Sequence, residues 1–268
     1  MTYDLLLREA LLAERPSDIF WEWAKKGRLR EIMPDLDALR VVSQQPAHRD
    51  NAFIHTLKVV DAIEPSPVRR WAALLHDIGK GPAYIETPEG RARFFEHDTI
   101  GAAMVPEIMQ AAGETPELIE PVERLVSMHM RPISYSTEWS DAAVRRLREE
   151  AEEGRGEDGW RDLLALSRAD LRGYLPEPID RGLWVLEQLE QRAQHLEEQE
   201  QREQINKERG PRSPLDGHQL LEIAGREPGS WVGEVKDYLL GEVKAGRLAV
   251  DDKAEAERLA KEFLILNS

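Results

Sequence analysis

The sequence predicts an all-α protein, with one helical domain over residues 1–205 and a small helical module over 206–268. Three observations predict it. Apolar residues recur at three- and four-residue spacing, as at Leu118, Val122, Leu125 and Val126, or Leu186, Leu189, Ala193 and Leu196. Cap and breaker residues such as Ser66-Pro67, Thr115-Pro116 and Ser140-Asp141 divide these runs into short segments. Alternating apolar and polar runs, the mark of strands, are few.

The bulk properties narrow the function classes. A chain of 268 residues suits one large domain, or a main domain with a satellite. The absence of cysteine excludes disulfides, thiolate metal sites and cysteine nucleophiles, so any metal must be held by nitrogen and oxygen. The formal charge of −15, from 36 basic and 51 acidic residues, opposes general attraction to nucleic acid or anionic membranes. A nucleic-acid substrate would have to be met locally. The first residues are apolar but carry Asp4 and Glu9 without a basic leader, and no long uncharged apolar run follows. The expectation is a soluble, cytoplasmic protein with no membrane partner.

In chain order, Leu5, Leu6, Leu7, Leu11 and Leu12 predict a helix over 4–14, and Ser17 is expected to cap a second one carrying Ile19, Phe20, Trp23 and Leu29. The stretch 34–46 reads as a turn, a short helix and a loop. Asp50 or Asn51 caps a helix over 52–63 whose stripe is Phe53, Leu57 and Val60, with His55 near that face. Taken alone, His55 reads as a hydrogen-bonded core histidine before it reads as a ligand.

The next helix, from Ser66 and Pro67, ends in the segment on which the chain turns, WAALLHDIGK over 71–80. It carries His76 and Asp77 into the interior and stops at Gly79. A buried carboxylate beside an imidazole needs a charge partner or a metal, because isolated burial of either charge is strongly unfavourable. After turn chemistry at 87–90, FFEHDTIGAAMVPEIM places His97 and Asp98 at a helix start. Gly101, Ala102 and Ala103 then allow close approach of another helix, and Pro106 is expected to kink or interrupt the helix. The helix from Thr115-Pro116 delivers His129 before Arg131-Pro132 closes it.

Ser140 and Asp141 open another helix, followed by a glycine-rich loop over 152–159. The apolar helix with Leu163, Leu164, Leu166 and Leu171 nevertheless carries Asp170, for which a surface pair with Arg168 or Arg172 is the plain alternative. A long helix is expected from Asp180; its row from Leu186 to Leu196 also offers a dimer face, and a charged, amide-rich tract containing His195 extends it into solvent. Beyond the break at 211–214, three helices over 215–224, 231–245 and 255–266 form the satellite, where His218 is a surface or capping residue.

Assembled, His55, His76, Asp77, His97, His129 and Asp170 are four imidazoles and two carboxylates from separate helices. Such ligands suit Mn, Fe, Co, Ni, Zn or Mg, with the imidazole count favouring a transition metal. The order H…HD…D, with HTL at 55–57, LLHDIGK at 74–80 and AD at 169–170, resembles the HD superfamily of metal-dependent phosphohydrolases. Further segments narrow the likeness: IMPDLDAL, the Gln-Pro-x-His of 45–48, FFEHDTIGA, LVSMHMRP and the tail LDGHQLLEIAGREPGSWVGEVKDYLL. In order these are similar to the C-terminal HD region of bacterial tRNA nucleotidyltransferases and poly(A) polymerase-like proteins. Their head, a Gly-Ser turn followed by paired aspartates, has no counterpart ahead of 45–48. The expectation is a free-standing hydrolase or a subunit that works with a separate nucleotidyltransferase chain.

The resemblance implies an HD-domain helical bundle with a small C-terminal helical appendage. It implies His55, His76, Asp77 and Asp170 as the metal motif, with Asp77 catalytic and bridging, and His97 and His129 as holders of a second ion. One or two divalent ions would orient a phosphate and lower the pKa of a water. Lys80 would steady the phosphate or the leaving oxygen; a cation satisfying a helix C-terminus is the competing role. Arg131, Arg172 and His48 are further substrate contacts. Activities associated with this branch are 2′,3′-cyclic phosphodiesterase, 2′-nucleotidase and phosphatase, so the substrate expected is a small nucleotide or RNA-end phosphoester. The cyclic-di-GMP branch is disfavoured because no HHExxDGxGYP-like segment exists. The alarmone branch is disfavoured because Ile78-Gly79-Lys80-Gly81 follows HD in place of acids. A noncatalytic module that binds tRNA or a nucleotidyltransferase partner is the other reading. The sequence leaves the oligomeric state open.

Overall fold

Several helices begin where the chain offers an oxygen acceptor or a proline. The Asn51 side chain accepts from the Ile54 N–H, Ser66 from Arg69 and Ser140 from Ala143, each filling one of the donors that a first helical turn leaves open. The computed structural model describes residues 3–43, 50–88, 91–173, 176–209 and 212–267. The order is α1 (Tyr3–Leu11), α2 (Pro16–Lys25), α3 (Leu29–Ile32), α4 (Pro34–Ala38), α5 (Ala52–Ala62) and α6 (Pro67–Leu75). A hairpin of β1 (Tyr84–Glu86) and β2 (Ala92–Phe94) precedes α7 (His97–Ala111), α8 (Pro116–Met128), α9 (Met130–Ile133), α10 (Asp141–Glu152), α11 (Glu157–Arg172) and α12 (Pro176–Arg209). Then come α13 (Gly217–Ala224), α14 (Trp231–Lys244) and α15 (Lys253–Leu266). The described residues are all-α apart from the hairpin, as the periodicity predicts.

Two compact units result, Met1–Leu196 and Glu197–Ser268, with the change falling inside α12. The first is built on a core that includes Phe20, Phe53, Trp71, Leu74, Ile78 and Met109, and the second on Leu215, Leu220, Val235 and Leu239. The apolar row of α12 is not a free dimer face: Leu189, Ala193 and Leu196 belong to the first core. Within the first unit, α5 and α6 pack against α11, and α6 and α7 against α8. Those five helices each bring one end or one inner face to a common place.

Three sequence expectations are corrected here. Ser17 does not cap α2, because Pro16 already begins the helix. Instead its backbone N–H, at 3.0 Å, and its hydroxyl both donate to the Asp61 carboxylate of α5, a cap delivered from another helix. Asp61→Ala is therefore expected to lower stability by about 1–2 kcal/mol in urea denaturation with an unchanged m-value. Second, Pro106 does not interrupt α7, which runs on to Ala111 while Ala102, Val105 and Met109 are buried; packing on α8 outweighs the lost backbone bond. Third, the loop expected over 152–159 is shorter, since α10 reaches Glu152 and α11 begins at Glu157.

The hairpin pairs Tyr84 with Phe94, Ile85 with Arg93 and Glu86 with Ala92. Strands of three residues are too short to show a period in sequence. Glu96 then turns the chain into α7 with φ of 54°, the one positive φ outside glycine among the described residues.

Candidate metal centre

His55 sits in α5 on a face buried by α11, so its ring meets Asp170 of α11: His55 Nε2 lies 2.8 Å from Asp170 Oδ1. His76 follows the last residue of α6, and its Nε2 is 3.4 Å from His55 Nε2, 3.5 Å from Asp170 Oδ1 and 3.3 Å from Asp77 Oδ2. On the other side of Asp77, Oδ1 is 3.5 Å from His97 Nε2, at the start of α7, and 4.0 Å from His129 Nε2, just past α8. The six side chains form two groups, His55, His76 and Asp170, and Asp77, His97 and His129, whose ligand atoms lie within 4.8 Å of one another in each group. Asp77 turns one oxygen toward each group. Neighbouring imidazoles stand 5.2–5.4 Å apart, centre to centre.

The backbone fixes how three of these rings point. His76 Nδ1 donates to Ala73 O at 2.9 Å, His97 Nδ1 to Phe94 O at 3.0 Å and His129 Nδ1 to Val126 O at 2.7 Å. Each carbonyl lies three residues earlier in the chain, and each bond leaves Nε2 as the atom aimed inward. Nε2 of His97 and of His129 is buried without a hydrogen-bond partner among the described residues. Buried lone pairs with no donor are costly, and a cation satisfies them. The donor set therefore fits divalent cations: nitrogen and carboxylate oxygen, closely grouped, with helices α6 and α8 ending on it and so turning their negative poles toward it.

Electrostatics point the same way. Burial disfavours charge on His76, but Asp77, followed by Asp170, outweighs it and pushes this imidazole up to about 10. Burial, then the positive His76, pushes His129 down to about 4. Asp77 is held well below the carboxylate range, despite burial, by His76 and Lys80, and Asp170 likewise by His55 and His76. A cation needs the His76 Nε2 lone pair, which carries a proton below about 10, whereas His129 is already neutral at pH 7. Cation uptake is therefore expected to expel one proton from His76 and none from His129, so affinity rises with pH by about tenfold per unit up to that value. Calorimetry in buffers of different ionisation enthalpy measures that proton.

Glycines let these parts approach. A Cβ on Gly79 would overlap the His97 carbonyl, and one on Gly173 would overlap the His55 ring. Lys80 is 7 % exposed, donates from Nζ to Asp77 Oδ2 at 2.6 Å and lies 5.5 Å from the Phe94 ring centre. The Phe94 carbonyl, the Phe94 ring and Gly173 all support this centre, yet nothing in the sequence marks them apart from ordinary hairpin and helix-end residues. Asp170 does not pair with Arg168 or Arg172: it is buried on His55, while Arg168 pairs with Glu190 at 2.5 Å. Arg131 pairs with Glu150 of α10, and Arg172 is exposed. His48 lies outside the described residues.

Residues 53–170 match the family model described as HD domain, and that segment contains all six grouped side chains. The chain thus carries an HD domain, the mark of a superfamily of metal-dependent hydrolases that bind divalent ions. Among curated proteins it is 30% identical over 175 residues to the multifunctional CCA protein of Cupriavidus metallidurans, covering 63% of this chain and 41% of that one. It is 31% identical over 188 residues to a protein of the same description from Ralstonia nicotianae, covering 65% and 42%. It is 27% identical over 250 residues to the A-adding tRNA nucleotidyltransferase of Deinococcus radiodurans, covering 88% and 53%. The chain spans about half or less of the length of these relatives. No described helix is long and apolar enough to cross a membrane.

Proposed function

We propose that this chain hydrolyses nucleotide phosphoesters, of 2′,3′-cyclic phosphodiester, 2′-nucleotide or related phosphatase type, with one or two divalent ions held by His55, His76, Asp77, His97, His129 and Asp170. The observation that carries this reading is the paired grouping of buried ligands around Asp77, with two imidazole nitrogens that no group among the described residues satisfies. When bound, divalent ions polarise a phosphoryl oxygen and lower the pKa of water enough for attack on phosphorus. The chain's own contribution is positional. Backbone carbonyls hold the imidazole tautomers, Asp77 reaches both groups, and the core packed around α5, α6 and α8 keeps bulk water out. Lys80, already oriented on Asp77, presents the cation that a phosphate or its leaving oxygen meets.

The names of the relatives, CCA protein and tRNA nucleotidyltransferase, support an RNA end or small nucleotide as substrate. They equally support a second reading, a noncatalytic module for tRNA or a separate nucleotidyltransferase chain. In the proposed division, 1–205 is the hydrolase domain and 206–268 the appended module. The test incubates purified protein with nucleoside 2′,3′-cyclic monophosphates and 2′- and 3′-monophosphates in Mn, Co, Ni or Mg. Metal-dependent cleavage is the expected result. No cleavage of any ester, together with tRNA binding that survives Asp77→Ala, would overturn the hydrolase in favour of the module.

A further inference from the structure

The turn Ile78–Lys80 serves two places at once. Lys80 reaches into the metal centre, while Ile78 and the following Gly81 line a cleft of about 480 Å³ together with Pro82, Tyr84, Val41 and Asp35. A short path of contacts links the two. Lys80 Nζ is 2.6 Å from Asp77, its ammonium sits 5.5 Å from the Phe94 ring centre, and the Phe94 ring is 6.0 Å from that of Tyr84, its partner across the hairpin.

The chemistry of the cleft is specific. Its walls are apolar, and they leave large apolar side chains in solvent that a core would have buried: Val41 is 88% exposed and Tyr84 39%. Among the described residues the Tyr84 hydroxyl has no hydrogen bond, and the Asp35 carboxylate has neither a hydrogen bond nor an ion pair. A flat apolar group with amino hydrogens fits such a slot: an aromatic face stacks it, and a carboxylate accepts from its edge. A nucleobase has both features, and stacking tolerates the acidity of the chain because it does not depend on phosphate attraction.

The geometry points to this cleft as the base subsite of the centre, with Tyr84 stacking the nucleobase of the ester whose phosphate is held beside Lys80, and Asp35 accepting from an exocyclic amino group. The inference rests on the hydrolase reading and adds what that reading leaves open, the part of the substrate that is recognised. Adenine and cytosine carry the amino group that Asp35 accepts; uracil does not.

The test compares adenosine 2′,3′-cyclic monophosphate with a base-free ester, methyl ribofuranoside 2,3-cyclic phosphate, on Mn-loaded full-length protein. In Tyr84→Ala, KM for the adenosine ester is expected to rise roughly tenfold to a hundredfold, the range for stacking one base. Its kcat stays within about twofold, the base-free ester is cleaved as by the wild type, and Tyr84→Phe restores KM. Asp35→Ala is expected to erase a preference for adenosine and cytidine esters over the uridine ester. Equal losses on both esters, or no loss in Tyr84→Ala, overturn the subsite while leaving the hydrolase intact. Should the wild type cleave no ester, the hydrolase reading falls, and calorimetric titration with adenosine decides the cleft. Binding that Tyr84→Ala weakens supports it; no binding, or equal binding by both proteins, overturns it.

Discussion

Asp77→Ala is expected to lower kcat/KM for ester cleavage by about three orders of magnitude, since the electrostatic stabilisation that a bound divalent ion supplies is worth several kcal/mol. The reasoning is geometric. Asp77 is 2% exposed, its Oδ2 faces His55, His76 and Lys80, and its Oδ1 faces His97 and His129. Removing it takes a ligand from the group it forms with His97 and His129 and also the carboxylate oxygen that faces His55 and His76 of the other, whereas His55→Ala or His129→Ala touches a single group. Atomic emission on dialysed protein is expected to show a larger loss of metal in Asp77→Ala than in either histidine variant. The stabilisation that added Mn gives wild type in thermal melts, which follows from binding to the folded state alone, is expected to vanish as well. Full activity in Asp77→Ala would remove the centre from the chemistry.

Gly79→Ala is expected to be nearly as damaging by a different route. The new Cβ would overlap the His97 carbonyl oxygen and lie 2.6 Å from Gly101 N and 3.0 Å from Gly101 Cα. These are backbone atoms of α7 and its first residue, so no rotamer change relieves the clash, and α7 has to move away from the Ile78–Lys80 turn. Overpacking of that kind costs about 3 kcal/mol, read as a lower urea midpoint. Since His97 rides on the displaced end of α7, its distance to Asp77 opens and metal content falls with stability. Gly101→Ala is the control. Its Cβ comes nearest to Gly79 N at 3.1 Å and to side chains of Ile78 and Val126 at 3.4 Å, so a smaller loss is expected. Equal midpoints for the two variants would show that the contact yields easily.

The reasons some features were readable in the sequence and others were not are physical. Local rules are written locally: Asn51, Ser66 and Ser140 cap helices because their acceptors lie within one turn of the donors they fill. The convergence of histidines and aspartates was readable in part, because His76 and Asp77 end an apolar helix; for His55 a core histidine and for Asp170 a surface ion pair stayed open until the six were taken together. Tertiary substitutions were not readable. Asp61 fills the donors of Ser17 from 44 residues away, and no local pattern announces it. Pro106 follows a sound rule about helices and is overridden by packing of α7 on α8. The hairpin escapes because three paired residues give no period, although Thr87 does behave as a turn residue: its N–H donates to Arg91 O at 2.8 Å. Gly173 follows directly on α11, and its steric duty to His55 exists only once α5 and α11 meet.

The bonds from His76, His97 and His129 to carbonyls three positions upstream make the orientation of each ring a property of its own stretch of chain. Folding alone therefore sets the inward ring nitrogens into a fixed template. A template cast in that way offers the same nitrogen and oxygen atoms to every divalent ion of suitable size. Any ion that such a template takes up is then expected to be selected by abundance and competition more than by adjustment of the host.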